Sequence, residues 1–563
     1  MLGRVVGYGY RYREVVLPLP KVKDDVQIRL VQGKRCAAVR RPVKVSLGCH
    51  IDGVALPRPD LQDRDTMTAG VCKRFATAVP KARKELLARF RSFVRTWVRK
   101  NLKPLPPDSD TTFETWLAQT PYPEWRKKEL KATFDAMDDP TDKAIFLVKS
   151  FMKDEDYPEY KHGRGINSRS DEFKCLVGPI FKLIEEQVYK HPAFIKHVPV
   201  AKRPQYIKDL LMSAGVKYYA TDYTSFEALF VKELMESCEF ELYLYMTSML
   251  NEFDWFKSVC EEVLAGVNEC HFKEVVVRLN AVRMSGEMCT SLGNGFTNLM
   301  AMLFICTEKG STDIRIVVEG DDGLTAINGP APSEADFAEL GLVIKLEEHL
   351  SLTTASFCGL IFDPEDLVNI ADPRKILAGF GWGGGKFRHA RPKILMALLR
   401  CKALSLLHQY PGAPILQELA LYGLRATSDI TAAKVLRAVN MRSSFDEWHR
   451  QQILQALNAA LPTKRVPMNT RFLMEEKFGV TVSEQLGIEA YLRGLQTLVP
   501  LKIDIYSFPA SWRHYWDVYV ANDVGDHPIL TVPTLGSDIY SLFTPGRGGW
   551  LVPKPAGAPA PGV

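Results

Sequence analysis

The stretch IRIVVEGDDGLTAI, residues 314 to 327, sets two adjacent aspartates between two apolar runs, and no other segment restricts the fold as much. Ile316 to Val318 reads as a buried strand and Leu324 to Ile327 as a second. Only a few polar, glycine-bounded residues separate them, which predicts a tight β-hairpin with Asp321 and Asp322 at its turn. Two other acidic pairs, Asp24-Asp25 and Asp138-Asp139, lie in polar, turn-like surroundings and read as solvated loops. Paired carboxylates beside apolar strands suffer desolvation and mutual repulsion. A divalent cation relieves both, and carboxylate oxygens suit Mg²⁺ or Mn²⁺. A merely solvated turn is the competing reading of this stretch alone.

Three further segments bear on the choice. VKYYATDYTSFEALF (216 to 230) runs from a strand pattern into a helix, with Asp222 at the junction, where a strand end presents a carboxylate to ions held by the hairpin. Glu227 follows five residues on, and Thr224-Ser-Phe-Glu227 also has the form of a capping box with Glu227 at N3. RMSGEMCTSLGNGFTNLMAMLF (283 to 304) enters a helix through the flexible pair Ser285-Gly286. Thr290, Asn294 and Asn298 then fall on one face at spacings of four, against Leu292, Phe296, Leu299 and Leu303 on the others. Such a polar stripe suits recognition, with interhelical hydrogen bonding as the alternative. FMKDEDYPEYKHGRGINSRSDEFK (151 to 174) carries Lys153, Lys161, Arg164 and Arg169 among glycines and polar residues. It is either a solvated loop or a cationic channel for a triphosphate, Arg forking onto phosphate and Lys acting as a point charge. Taken together, the four segments describe nucleotidyl transfer, with two metal ions roughly 3.5–4 Å apart serving the attacking and leaving oxygens.

The bulk numbers agree. At 563 residues the chain exceeds one ordinary domain, and 46% hydrophobic residues supply a core. A net charge of +6 permits a polyanionic partner. No apolar run approaches the ~18 residues of a membrane-spanning helix, and the start lacks the apolar core of a secretory signal. Eleven cysteines stand singly with no CxxC pair, as expected of a reducing compartment without a structural zinc or disulfide framework. The helix KARKELLARFRSFVRTWVRK, with Leu86, Phe90, Phe93 and Trp97 in line and Arg91, Arg95 and Lys100 off it, faces either nucleic acid or a membrane surface, or simply packs its apolar side inward.

The same residues resemble a family of viral RNA-dependent RNA polymerases, most closely those of tombusvirus-like positive-strand RNA viruses. DYTSFE is similar to their motif A, SGEMCTSLGN to motif B and GDD to motif C. KHGRGINSR resembles motif F, GLVIKLEE (341 to 348) motif D, and SFCGL (356 to 360) motif E. LPRPDLQDRDTMTAGVCKR resembles the region ahead of the fingers. The likeness is strong from about 56 to 410, and the ordered set is far more specific than any one motif. It implies an α+β right hand with an antiparallel palm sheet and a mainly helical thumb. Residues 1–80 would be an N-terminal extension bridging the fingertips, 81–215 fingers, 216–375 palm with a fingers insertion at about 240–272, and 376–540 thumb. Residues 541–563, rich in Pro and Gly, would be a disordered tail.

The resemblance also implies roles. Asp222 and Asp321 would be the principal metal ligands, with Asp322 adding charge. Ser285, Gly286, Thr290 and Asn294 would contact nucleotide and template, Asn294 sensing the ribose 2′-hydroxyl together with the acidic residue of motif A. Lys345 would protonate the pyrophosphate leaving group, and Lys153, Lys161, Arg164 and Arg169 would line the nucleotide channel. Glu227 stands where many relatives carry Asp, and Gly163 and Gly165 flank Arg164 where relatives often have Pro. Mg²⁺ or Mn²⁺ is the implied cofactor. RNA template, RNA product and NTPs are the implied partners, with other viral proteins and host membranes reached through them in a cytoplasmic replication complex. A reverse transcriptase is the nearest rival, but Gly320 replaces the tyrosine-containing pattern usual there. A non-catalytic RNA-binding replication protein is the rival from another class.

Overall fold

The computed structural model describes residues 5–8, 17–31, 42–59, 63–139, 143–442, 444–461, 463–517, 520 and 539–555. Its centre is a four-stranded antiparallel sheet in the order Ile344–His349, Lys217–Tyr223, Asp322–Asn328, Thr312–Glu319. Alternate residues along each strand enter different cores. Tyr219, Tyr223, Ile316, Val318, Ile327 and Ile344 join Leu292, Phe296 and Leu299 of the long helix Thr290–Glu308. Tyr218, Ala220, Val317, Leu324 and Ala326 turn the other way, toward Ile207, Leu211 and Phe357. A sheet covered on both faces explains why its strands read as unbroken apolar runs rather than as alternation.

The basic helix, Lys84–Asn101, buries Leu86, Phe90, Val94 and Val98, a stripe of strict four-residue spacing, and sets Phe90 and Phe93 in tilted ring contact with Phe304. Phe93 and Trp97 flank that stripe, half-buried. Its arginines have protein partners: Arg91 and Arg95 both bond Glu241, and Arg89 bonds Glu308. Three of its six basic residues are thus paired with two carboxylates of the same molecule.

A seven-stranded sheet gathers distant parts of the chain, in the order Phe543–Pro545, Leu551–Pro553, Gln27–Leu30, Val275–Asn280, Val267–His271, Val148–Met152, Gly165–Arg169. Only the pair Val148–Met152 and Val267–His271 runs parallel. The expectation of a disordered tail is corrected for residues 541–555. Leu551 pairs with Ile28, and the Trp550 ring meets the guanidinium groups of Arg29 and Arg278 at 4.6 and 5.9 Å. Cation–π contact and strand pairing together hold a Pro/Gly-rich segment whose composition gave no periodic signal. Residues 556–563 lie outside the described residues, as do 32–41 of the basic N-terminal cluster.

From Pro392 to Gly494 the chain is mainly helical, through Pro392–Gln409, Leu416–Ala426, Ala432–Val439, Glu447–Asn458, Met468–Phe478 and Val482–Gly494. These helices share one core with Val45, Leu47 and Ile51 from the N-terminal region. Among the described residues, no helix is long and apolar enough to cross a membrane.

Candidate active site

The aspartate hairpin closes through Gly320 and Asp321, with Asp322 paired back to Glu319. Gly320 has a φ of +62°, a left-handed backbone that suits glycine at the first position of a two-residue loop. The turn is gripped from the long helix: the Asn298 side-chain amide lies 3.3, 3.1 and 3.1 Å from the carbonyl oxygens of Gly320, Asp321 and Asp322. Beneath it, Arg203 donates to both carboxylate oxygens of Glu319, at 2.5 and 3.2 Å, and the Cys358 thiol reaches the same carboxylate at 3.5 Å. The turn is therefore fixed by its backbone and by the residue preceding it, without an ion pair to either aspartate of the turn among the described residues.

Asp222 comes from the neighbouring strand. Thr221 is opposite Gly323, so one step along the same register Asp222 is opposite Asp322, and Lys345 of the edge strand is opposite Asp222. Solvent reaches all three aspartates. The walls of the cleft nevertheless strip water from Asp322, and with repulsion from Asp321, Asp222 and Glu319 they push its carboxyl up to about 7, against a hydrogen bond from Cys358. Asp321 is raised as well, by desolvation and then by Glu227, while Arg74 and Arg164 pull it down. Among the described residues no three His, Cys, Asp or Glu side chains already converge as a metal cage. Hard oxygen donors at adjacent strand positions, with repulsion left uncompensated, nevertheless fit a divalent cation.

Glu227 departs from the capping-box reading. Ser225 precedes the short helix Phe226–Leu229 with a left-handed φ of +51°, and its hydroxyl donates to the Lys73 carbonyl instead of capping. The Glu227 carboxylate, buried, is held by Arg74 at 3.1 and 3.0 Å. Arg74, at the end of the helix Arg64–Arg74, was missed in the sequence, where nothing links it to a glutamate 153 positions away.

The polar stripe of the long helix is spent on loops rather than on neighbouring helices. Thr290 donates to the Met284 carbonyl at 3.0 Å, Asn294 accepts from Arg283 at 3.2 Å, and Asn298 grips the turn. Ser285 donates to the Gly165 carbonyl at 3.3 Å and accepts from the Asn167 amide at 3.2 Å, while the Gly286 amide donates to the Asn167 carbonyl at 2.7 Å. The loop entering the helix is thus tied to the basic segment.

That segment is a β-hairpin, Val148–Met152 with Gly165–Arg169, rather than a plain loop. Lys153 pairs with Glu155 at 2.9 Å, Lys161 lies 5.0 Å over the Tyr157 ring, and Arg164, half-exposed, stands 3.6 Å from Glu155. Arg169 differs from the expectation of a channel residue. It is buried, and Glu287, Asn268 and the carbonyls of Phe146 and Val263 take four of its five N–H donors. Alternation along the strand accounts for this: Gly165, Asn167 and Arg169 are buried, and Ile166 and Ser168 less so. Lys345 is exposed and bonded to Glu347 at 2.6 Å, which raises its ammonium above the ordinary value.

Carboxylates from two adjacent strands thus lie near a basic hairpin tied to a polar helix entrance. Residues 74–382, more than half of the chain, match the family profile of RNA dependent RNA polymerase, and the chain belongs to that family, which serves positive-strand RNA viruses. A comparison with curated proteins finds no match.

Proposed function

We propose that the chain replicates the genome of a tombusvirus-like positive-strand RNA virus, joining ribonucleotides along an RNA template with release of pyrophosphate. The observation that carries this reading is the set of three aspartates at one end of the doubly covered sheet, their repulsion uncompensated. Asp222, Asp321 and Asp322 would hold Mg²⁺ or Mn²⁺, which when bound stabilises charge on the attacking and leaving oxygens. Lys153, Lys161 and Arg164 bind the triphosphate and steer it to the cleft. Glu227 and Asn294 read the 2′-hydroxyl. Ser285, Gly286 and Thr290 set the loop against which nucleotide and template rest. Lys345, once parted from Glu347, hands a proton to the departing pyrophosphate. In this reading the four-stranded sheet is the palm, residues 81–215 the fingers, 376–540 the thumb and 1–80 the bridge between them. Further viral proteins would bring the enzyme to host membranes.

The test is labelled NMP incorporation on a defined RNA template with Mg²⁺ or Mn²⁺, beside a dNTP arm. Template-length product from rNTPs supports the reading. Product from dNTPs alone would make the enzyme a reverse transcriptase. RNA binding without incorporation under any metal would point to a non-catalytic replication protein.

A further inference from the structure

Behind the proposed ribose sensors lies a fully buried charge cluster that the reaction itself does not call upon. Arg283 has no solvent exposure, and neither has Glu239, its ion-pair partner. The Tyr243 hydroxyl donates to the same Glu239 carboxylate at 2.8 Å, and the Phe230 ring lies 4.4 Å from the guanidinium. Arg283 also meets the Cys289 sulfur at 3.2 Å, and Glu287, bonded to Arg169, stands 4.0 Å away. The long helix makes room for this cluster at Gly293, where a Cβ would collide with Glu239, Arg283 and the Tyr243 hydroxyl together. Desolvating two charges is costly, and such a pair adds little net stability compared with apolar packing. Its contacts instead point to a role in geometry.

Two bonds carry that geometry. The Arg283 amide donates to the Glu227 carbonyl at 3.1 Å, and its guanidinium Nε donates to Asn294 Oδ1 at 3.2 Å. Arginine has donors and no acceptor, so the end of the Asn294 amide that faces it must be the oxygen. The NH₂ end is left for the nucleotide. Glu227, meanwhile, offers only acceptors, and its Oε2 is buried without a hydrogen bond of good geometry even though Arg74 stands close. A hydroxyl can donate to Glu227 and accept from Asn294 at once, whereas a 2′-hydrogen can do neither.

We propose that Arg283, clamped by Glu239, is a positioning residue for sugar selection, fixing which end of the Asn294 amide meets the nucleotide and holding the Glu227 backbone in the same grip. This rests on Asn294 and Glu227 being the ribose sensors. Lysine at 283 keeps the charge beside Glu239 but is a point donor, without the fork that reaches Glu239 and Asn294 together. With it the Asn294 amide is free to flip.

The experiment measures kcat/KM for a ribonucleotide and its 2′-fluoro and 2′-deoxy analogues in the full chain, in Arg283→Lys and in Asn294→Ala. These ratios do not depend on the fraction of enzyme folded, so a purely structural role would leave them unmoved. In the native enzyme the order should be hydroxyl, fluoro, hydrogen, since fluorine accepts but cannot donate. Arg283→Lys should cut the ribo-over-deoxy ratio on the order of tenfold, the weight of one hydrogen bond, and erase the fluoro-over-deoxy preference. Asn294→Ala lowering the ratio while Arg283→Lys keeps both preferences would overturn the inference alone. Unchanged ratios in Asn294→Ala would overturn the sensor reading and the inference with it. Should Arg283→Lys not fold, the charge-neutral double variant Arg283→Met with Glu239→Gln decides by the same ratios.

Discussion

Two acidic regions of the molecule, distant in sequence, are treated oppositely. At the hairpin, Asp321 and Asp322 stand open to solvent, and repulsion from Asp321, Asp222 and Glu319 helps raise the Asp322 carboxyl. Behind the long helix, Glu239 is wholly buried and matched by Arg283. The first arrangement leaves carboxylate repulsion in place, and the second balances its charge internally. Under the proposed reading, metal binding and sugar positioning fall to separate groups with different electrostatic balance.

That contrast can be broken most severely at the hairpin. Asp321→Ala is expected to lower NMP incorporation on the order of 10³-fold, read by product formation, while RNA affinity measured by filter binding stays within error. Glu239→Ala should act on the fold instead, costing about 3–5 kcal/mol in urea denaturation because it strands a buried arginine. Lys345→Gln should slow single-turnover incorporation about 10²-fold and weaken its pH dependence, as removal of a general acid does.

The smallest effect is the most diagnostic. The carboxyl of Asp322 is raised toward about 7 from its ordinary value of 3.8, so the folded state binds its proton more tightly than the unfolded state. Its cost to stability is absent below the ordinary value, grows as pH rises toward 7 and is constant above. Asp322→Asn should therefore raise the thermal midpoint of metal-free protein by about 1–2 °C at pH 8 and not at pH 4. No difference at pH 8 would mean the hairpin carries no stored repulsion.

Much of this site was legible in the residues. The two apolar runs around Gly320-Asp321-Asp322 announced the hairpin because both faces of its sheet are covered, and Asp222 lay at a strand end as its pattern required. What escaped was whatever depends on distant contact. Arg74 reaches Glu227, Arg203 reaches Glu319, and Arg169 turns inward to Glu287, all across more than a hundred residues. No periodicity encodes such pairs. The capping box failed for a local reason, the left-handed backbone of Ser225, which no composition reveals. Asn298 stood in the right stripe, yet its grip on three carbonyls depends on how closely helix and turn approach.

The pairing of Leu551 with Ile28 bears on the order in which the protein is made. A ribosome releases Gln27–Leu30 more than five hundred residues before the strand that flanks it. Until then that edge of the seven-stranded sheet has open backbone groups and can pair with another nascent chain. The aspartate sheet, by contrast, has all four strands out by residue 349. Synthesis can thus finish the chemistry of the cleft long before it finishes the sheet that adjoins it, and a late truncation ahead of Leu551 would yield a chain whose failing is association rather than loss of its carboxylates.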